Sequence, residues 1–119
     1  MTGYIGPDRR KQPRIAGKFV VSYRVKVEIN NYDISQTRNL SLGGMLLTTN
    51  RVFSHGTILI IDIRLPFFID AISFTGKVLD SKEVVKELIY DTYIQFLDID
   101  SKAEGIVKDT VGYYLKTQK

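Results

Sequence analysis

Eleven residues constrain this chain more than any others. From Phe19 to Ile29, Phe19, Val21, Tyr23, Val25, Val27 and Ile29 alternate with Val20, Ser22, Arg24, Lys26 and Glu28. A strict period of two is the pattern of a strand with one face buried and one face in water. A helix would scatter these apolar positions around its circumference. The pattern therefore predicts a strand over Phe19–Ile29, with Arg24 and Lys26 pointing outward. Asn30 and Asn31 follow as turn residues able to adopt positive φ.

The same reading continues down the chain. Strands are predicted over 33–40, over "MLLTTN" at 45–50, and over "TILIIDIRL" at 57–65, which Pro66 stops. Two more are predicted at "AISFTGKVLD" (71–80) and "IYDTYIQFLDI" (89–99), joined by the charged "SKEVVKE". Ser101 and Glu104 match a capping box, and Ala103, Val107, Val111, Tyr114 and Leu115 recur at helical spacing. Gly105 and Gly112 cost such a helix about 1 kcal/mol each, so packing must hold it. Six short strands followed by one helix favour an antiparallel sandwich or barrel, and closure would remove exposed strand edges. At 119 residues the chain fits one domain with one core.

Charge is distributed unevenly. Residues 1–26 carry seven Lys or Arg against one acid, whereas the rest carries ten against twelve. The body is slightly acidic and its start strongly basic. Binders of a nucleic-acid backbone usually spread cations along a face, so one dense segment suits a compact anion better. There are no cysteines, which excludes disulfides and thiolate metal sites and fits a reducing compartment. No apolar signal core or membrane-length run is visible. His55 sits in "SHG" without a second ligand nearby and reads as a turn residue, and Asp98 and Asp100 read as solvated. Phe67 or Phe68 is expected to plug one end of the barrel. No nucleophile–base set or metal constellation is present, so no enzymatic activity is expected.

Two phrases remain. "DRRKQPRIAG" contains Arg10-x-x-x-Arg14 with Pro13 disfavouring helix; "NLSLGG" contains Asn39-x-Ser41-x-x-Gly44. Two guanidinium forks can hold phosphate or read the O6/N7 edge of guanine. Asn39 offers an acceptor and two donors, Ser41 a hydroxyl on the same strand face, and Gly44 a backbone that a ligand can approach. Taken singly, the first phrase reads also as a solvated basic tail and the second as a strand ending in a glycine turn.

Together and in this order, the two phrases resemble the R-x-x-x-R and [D/N]-x-S-x-x-G motifs of PilZ domains, which bind the bacterial second messenger cyclic di-GMP (c-di-GMP). Leu65-Pro66, Gly76-Lys77-Val78 and Ile94-Gln95-Phe96 also fall where that family has similar phrases, so the resemblance covers nearly the whole chain. It implies an all-β fold, a six-stranded antiparallel split barrel with a C-terminal α-helix. Residues 1–18 would be the ligand-binding loop and 19–119 the barrel with its helix. The implied site is Arg9, Arg10, Arg14, Asn39, Ser41, Gly43 and Gly44, with c-di-GMP as ligand and no further cofactor. Asn39 stands where many members have Asp, and Tyr93 where a glycine commonly precedes the last strand's phrase. A bacterial, cytoplasmic, monomeric or homodimeric receptor that relays its state to an unidentified downstream protein follows from the resemblance. The alternatives are a protein-interaction module that binds no nucleotide and a binder of single-stranded nucleic acid.

Overall fold

The computed structural model describes residues 14–29 and 31–117. Seven strands and one helix follow in order: β1 (Ile15–Ala16), β2 (Val20–Val25), β3 (Asp33–Leu40), β4 (Gly44–Thr49), β5 (Ile58–Ile63), β6 (Ile72–Val85), β7 (Ile89–Asp98) and α1 (Ser101–Thr117). Every pairing is antiparallel. The order runs β3-β2-β5-β6-β7-β4, and β4 pairs back onto β3, closing a six-stranded barrel as expected. The short strand β1 is an addition; it continues along the same side of β3 that β2 occupies, pairing Ile15 with Leu40 and Ala16 with Asn39.

Inward positions fill the barrel with Val21, Tyr23, Leu40, Met45, Leu47, Leu59, Ile61, Ile63, Val78 and Ile94. β5 alternates most cleanly, with Leu59, Ile61 and Ile63 wholly buried. The helix adds Ala103, Val107 and Val111 to the same core, beneath a half-buried Tyr114. The ring of Tyr114 meets Phe19 edge-on at 5.5 Å, and Tyr113 meets Phe67 at 5.0 Å. Phe68 packs against the core, whereas Phe67 meets the helix through Tyr113 and stays 54% exposed beside an 86% exposed Ile69.

Three local expectations need correction. The alternation beginning at Phe19 runs to Ile29, yet β2 ends at Val25, with Val27 87% and Ile29 81% exposed. Its partner β5 begins at Ile58, so the chain beyond the Lys26 N–H to Ile58 carbonyl bond has nothing to pair with. Arg24 instead staples the turn, donating to the carbonyls of Lys26 (3.0 Å) and Glu28 (2.8 Å). Second, the charged "SKEVVKE" is mostly strand: β6 continues to Val85 and the turn occupies residues 86–88, with Glu87 at φ 61°. A two-stranded arm with water on both faces accepts charged side chains without penalty. Third, the helix cap is Asp100, whose Oδ1 accepts from the Ala103 N–H at 2.8 Å. The helix thus begins one residue before a Ser101 cap would allow, and Glu104 is not placed to close a capping box.

Tyr23 gives the interior a pH signature. Burial, helped by the negative charge of Asp33, pushes its phenol from 10.0 up to about 12, against the opposing effects of an Asn50 backbone hydrogen bond and Arg51. The folded state therefore favours the neutral phenol. That contribution to stability is complete below pH 10 and is lost as pH rises from 10 towards 12, where the unfolded chain ionises first. Tyr23→Phe should accordingly flatten the alkaline decline in denaturation midpoint over this window; an unchanged slope would show that other groups cause it.

Candidate ligand site on the outer wall of the barrel

The two phrases meet. Arg14 enters the described chain immediately before β1, and its Nη1 donates to Asn39 Oδ1 at 2.8 Å. The cause is local: pairing of Ile15 with Leu40 and Ala16 with Asn39 lays the end of the basic segment along the end of β3. Ile15 is buried as an anchor, while Ala16 and Asn39 face outward. Arg9 and Arg10 lie outside the described residues.

A buried threonine fixes this geometry. Between β1 and β2 the chain breaks at Gly17–Phe19, opposite Thr37 of β3. The Thr37 hydroxyl donates to the Gly17 carbonyl at 2.5 Å and accepts from the Phe19 N–H at 3.0 Å. The Thr37 N–H donates in turn to the Phe19 carbonyl at 2.9 Å. One wholly buried side chain thus satisfies both backbone groups that the break leaves without sheet partners. β3 bulges at the same level, between Thr37 and Asn39, which puts both Arg38 and Asn39 on the outer side. Arg38 there pairs with Asp91 of β7 at 3.1 Å.

The "NLSLGG" phrase behaves differently from an uninterrupted strand. β3 ends at Leu40, so Ser41 does not share a strand face with Asn39. Ser41 is buried in the turn: its N–H and hydroxyl both reach the Gly44 carbonyl, at 2.9 and 3.2 Å, and its Oγ accepts from the Gly43 N–H at 3.3 Å. Gly43 is exposed and its carbonyl accepts from the Phe96 N–H at 2.9 Å. Gly44 is needed for a close approach, but to the protein itself: a Cβ there would lie 2.2 Å from the Ile94 carbonyl oxygen of β7. Sequence reasoning assigned that approach to a ligand.

Strand registers extend the site across the wall. Ala16 pairs with Asn39, Asn39 with Leu46, Leu46 with Tyr93 and Tyr93 with Asp80, so these residues form one outward-facing row over five strands. Leu46 is 8% exposed although it stands outside the core cluster, and Tyr93 is half-buried. Tyr93 stands out in the sequence only as a departure from the family's glycine, and Leu46 was not expected at the site. The alternation of "GMLLTT" does put Gly44, Leu46 and Thr48 on one face, but only the β4–β7 register brings Tyr93 beside them.

Elsewhere, His55 is exposed in a turn, within 2.9 Å of the Leu79 carbonyl through Nδ1. The described residues contain no group of three or more His, Cys, Asp or Glu able to hold a metal, and no helix among them is long and apolar enough to cross a membrane.

A closed antiparallel barrel with a C-terminal helix, carrying an arginine and a strand-end asparagine in contact on its outer wall, defines a small β-barrel domain. The chain belongs to the PilZ domain family, whose profile matches residues 8–112. Among solved structures it resembles the Bacillus subtilis inhibitor of motility MotI/DgrA (TM-score 0.73, 19% identity), covering 92% of this chain and 51% of that one. It also resembles the PilZ domain of Escherichia coli YcgR, solved with c-di-GMP (0.70, 15%), over 92% of this chain and 94% of that one. A third is the K. pneumonia MrkH–c-di-GMP complex (0.69, 16%), covering 92% and 54%. The chain thus spans only about half the length of MotI/DgrA and MrkH. Comparison with curated protein sequences gives no significant match.

Proposed function

We propose that this chain is a non-enzymatic receptor for c-di-GMP in the bacterial cytoplasm, with residues 1–18 as the ligand-binding loop and 19–119 as the barrel that receives it. Arg10 and Arg14 grip phosphate and guanine, and Arg9 adds a third cation. Asn39 presents its amide from the barrel, while Ser41, Gly43 and Gly44 hold the turn beside it. The ligand draws the basic loop against the wall, and the altered surface is what a downstream protein reads. The observation that carries this reading is the 2.8 Å contact between Arg14 and Asn39, which unites the two phrases at one place. Structural relatives solved with c-di-GMP support the choice of ligand.

The test is calorimetric titration with c-di-GMP, with GTP and a short oligonucleotide as competitors. A ligand that binds only the folded state adds about 2.7 kcal/mol at a hundredfold excess over Kd. For a domain of this length that raises the melting temperature by roughly 10 °C. Saturable heat with c-di-GMP and no competition from the oligonucleotide is expected. No heat and no thermal shift at millimolar c-di-GMP would leave the interaction-module reading instead.

A further inference from the structure

Tyr93 stands in a position that core packing does not explain. It points outward from β7 and belongs to no part of the hydrophobic core cluster. Across β4 its direct neighbour is Leu46, and Leu46's next neighbour is Asn39. Two strand spacings separate Tyr93 from Asn39, roughly 10 Å, a distance one planar base and its sugar can bridge. Between them the row places Leu46, an apolar side chain 8% exposed that can serve as a floor. On the opposite side, toward β6, Lys82 Nζ lies 5.9 Å from the ring centroid and 3.8 Å from Asp80 Oδ2. Lys82 and Asp80 thus flank the ring on its β6 side, and Leu46 and Asn39 on its β4 side.

We propose that Tyr93 is a base-stacking residue of the nucleotide site, holding a guanine over Leu46 while Arg14 and Asn39 engage the same ligand from β1 and β3. This rests on the receptor reading above and extends it by two strands. An aromatic face accepts any purine, so the ring contributes affinity, and the polar groups at its far end choose the base. Register aligns floor, ring and amide without any shift of the strands, and Leu46, 8% exposed, becomes accessible to a base when the side chains over it turn aside.

The experiment titrates c-di-GMP into the unaltered chain, Tyr93→Phe and Tyr93→Leu, and records the guanine H8 resonance of the bound ligand. Tyr93→Phe keeps the ring and should bind within about twofold of the unaltered chain, whereas Tyr93→Leu keeps apolar bulk alone and should weaken binding by about fivefold to a hundredfold. The H8 signal should move upfield in the unaltered chain and in Tyr93→Phe, and not in Tyr93→Leu. Equal affinity for Tyr93→Leu overturns the inference, as does a loss in Tyr93→Phe as large as in Tyr93→Leu. If Tyr93→Leu does not fold, the H8 shift decides: its absence in both other proteins overturns the stacking. No binding by the unaltered chain would overturn the receptor reading and this inference together.

Discussion

Arg14→Ala is expected to weaken c-di-GMP binding by about 1.5–3 kcal/mol, tenfold to over a hundredfold, without unfolding the barrel. A charge-assisted, two-pronged contact to phosphate or guanine is lost, together with the 2.8 Å bond to Asn39 Oδ1. Arg10→Ala, by the same chemistry, should cost a similar amount. Arg14→Lys should recover part of the loss, because the charge remains while the planar fork does not. Asn39→Ala should also weaken binding and leave the fold intact, since Asn39 faces outward and is half-buried. The proper control is a pair of exposed helix cations, Lys108→Ala with Lys116→Ala, which lowers net charge more than any single loop change. Arg24 would be a poor control, because it braces the β2–β3 turn through backbone carbonyls. Calorimetry at fixed salt checks the series. A helix pair as damaging as Arg14→Ala would mean that bulk charge, and not a two-phrase site, binds the ligand.

Thr37→Val should destabilise the protein by about 2–4 kcal/mol, although the two side chains have almost the same shape. The hydroxyl satisfies the Gly17 carbonyl and the Phe19 N–H, and Thr37 is fully buried, so water cannot substitute. Both groups would be left without partners at the break between β1 and β2. Affinity should fall as well, even though Thr37 lies outside the proposed ligand contacts, because β1 carries the residue next to Arg14. Urea unfolding combined with ligand titration separates the two effects. A loss of stability under about 0.5 kcal/mol, the range of a neutral surface change, would show that the break holds itself together.

Much of this was readable in advance, for definite reasons. β5 and β7 alternate because each has one face in the core and one in water, and that relation is local. The contact of Arg14 with Asn39 was legible only through the family resemblance, because the basic phrase alone reads also as a solvated tail and the asparagine phrase as a strand ending in a glycine turn. Other features depend on who lies next to whom. Val27 and Ile29 continue a perfect alternation into solvent, because β5 offers no residue beyond Ile58 to pair with them. Lys82 and Glu83 resemble a linker, yet antiparallel pairing opposite Asp91 and Tyr90 makes them strand. Asp100 and Ser101 are both competent caps, and only the start of the helix decides between them. Gly44 looked like room for a ligand, and the Ile94 carbonyl takes that room. Leu46 and Tyr93 became neighbours through a register that no short window of sequence contains.

Barrel closure has a consequence for how the site comes into being. β2, β3 and β4 form one meander of sequential hairpins, and β5, β6 and β7 a second. Two seams between strands distant in the chain, β2–β5 and β4–β7, stitch the meanders into a barrel. Each seam requires a long loop to close before any pairing rewards it, which places such topologies among the slower folders, in the range of milliseconds to seconds. Asn39 and Leu46 belong to the first meander and Tyr93 to the second, so the row straddles the β4–β7 seam. Neither half of a chain cut between β4 and β5 carries the whole row, and during synthesis it is complete only once β7 has emerged and docked. Recovery of ligand binding after dilution from denaturant should therefore track the slowest folding phase.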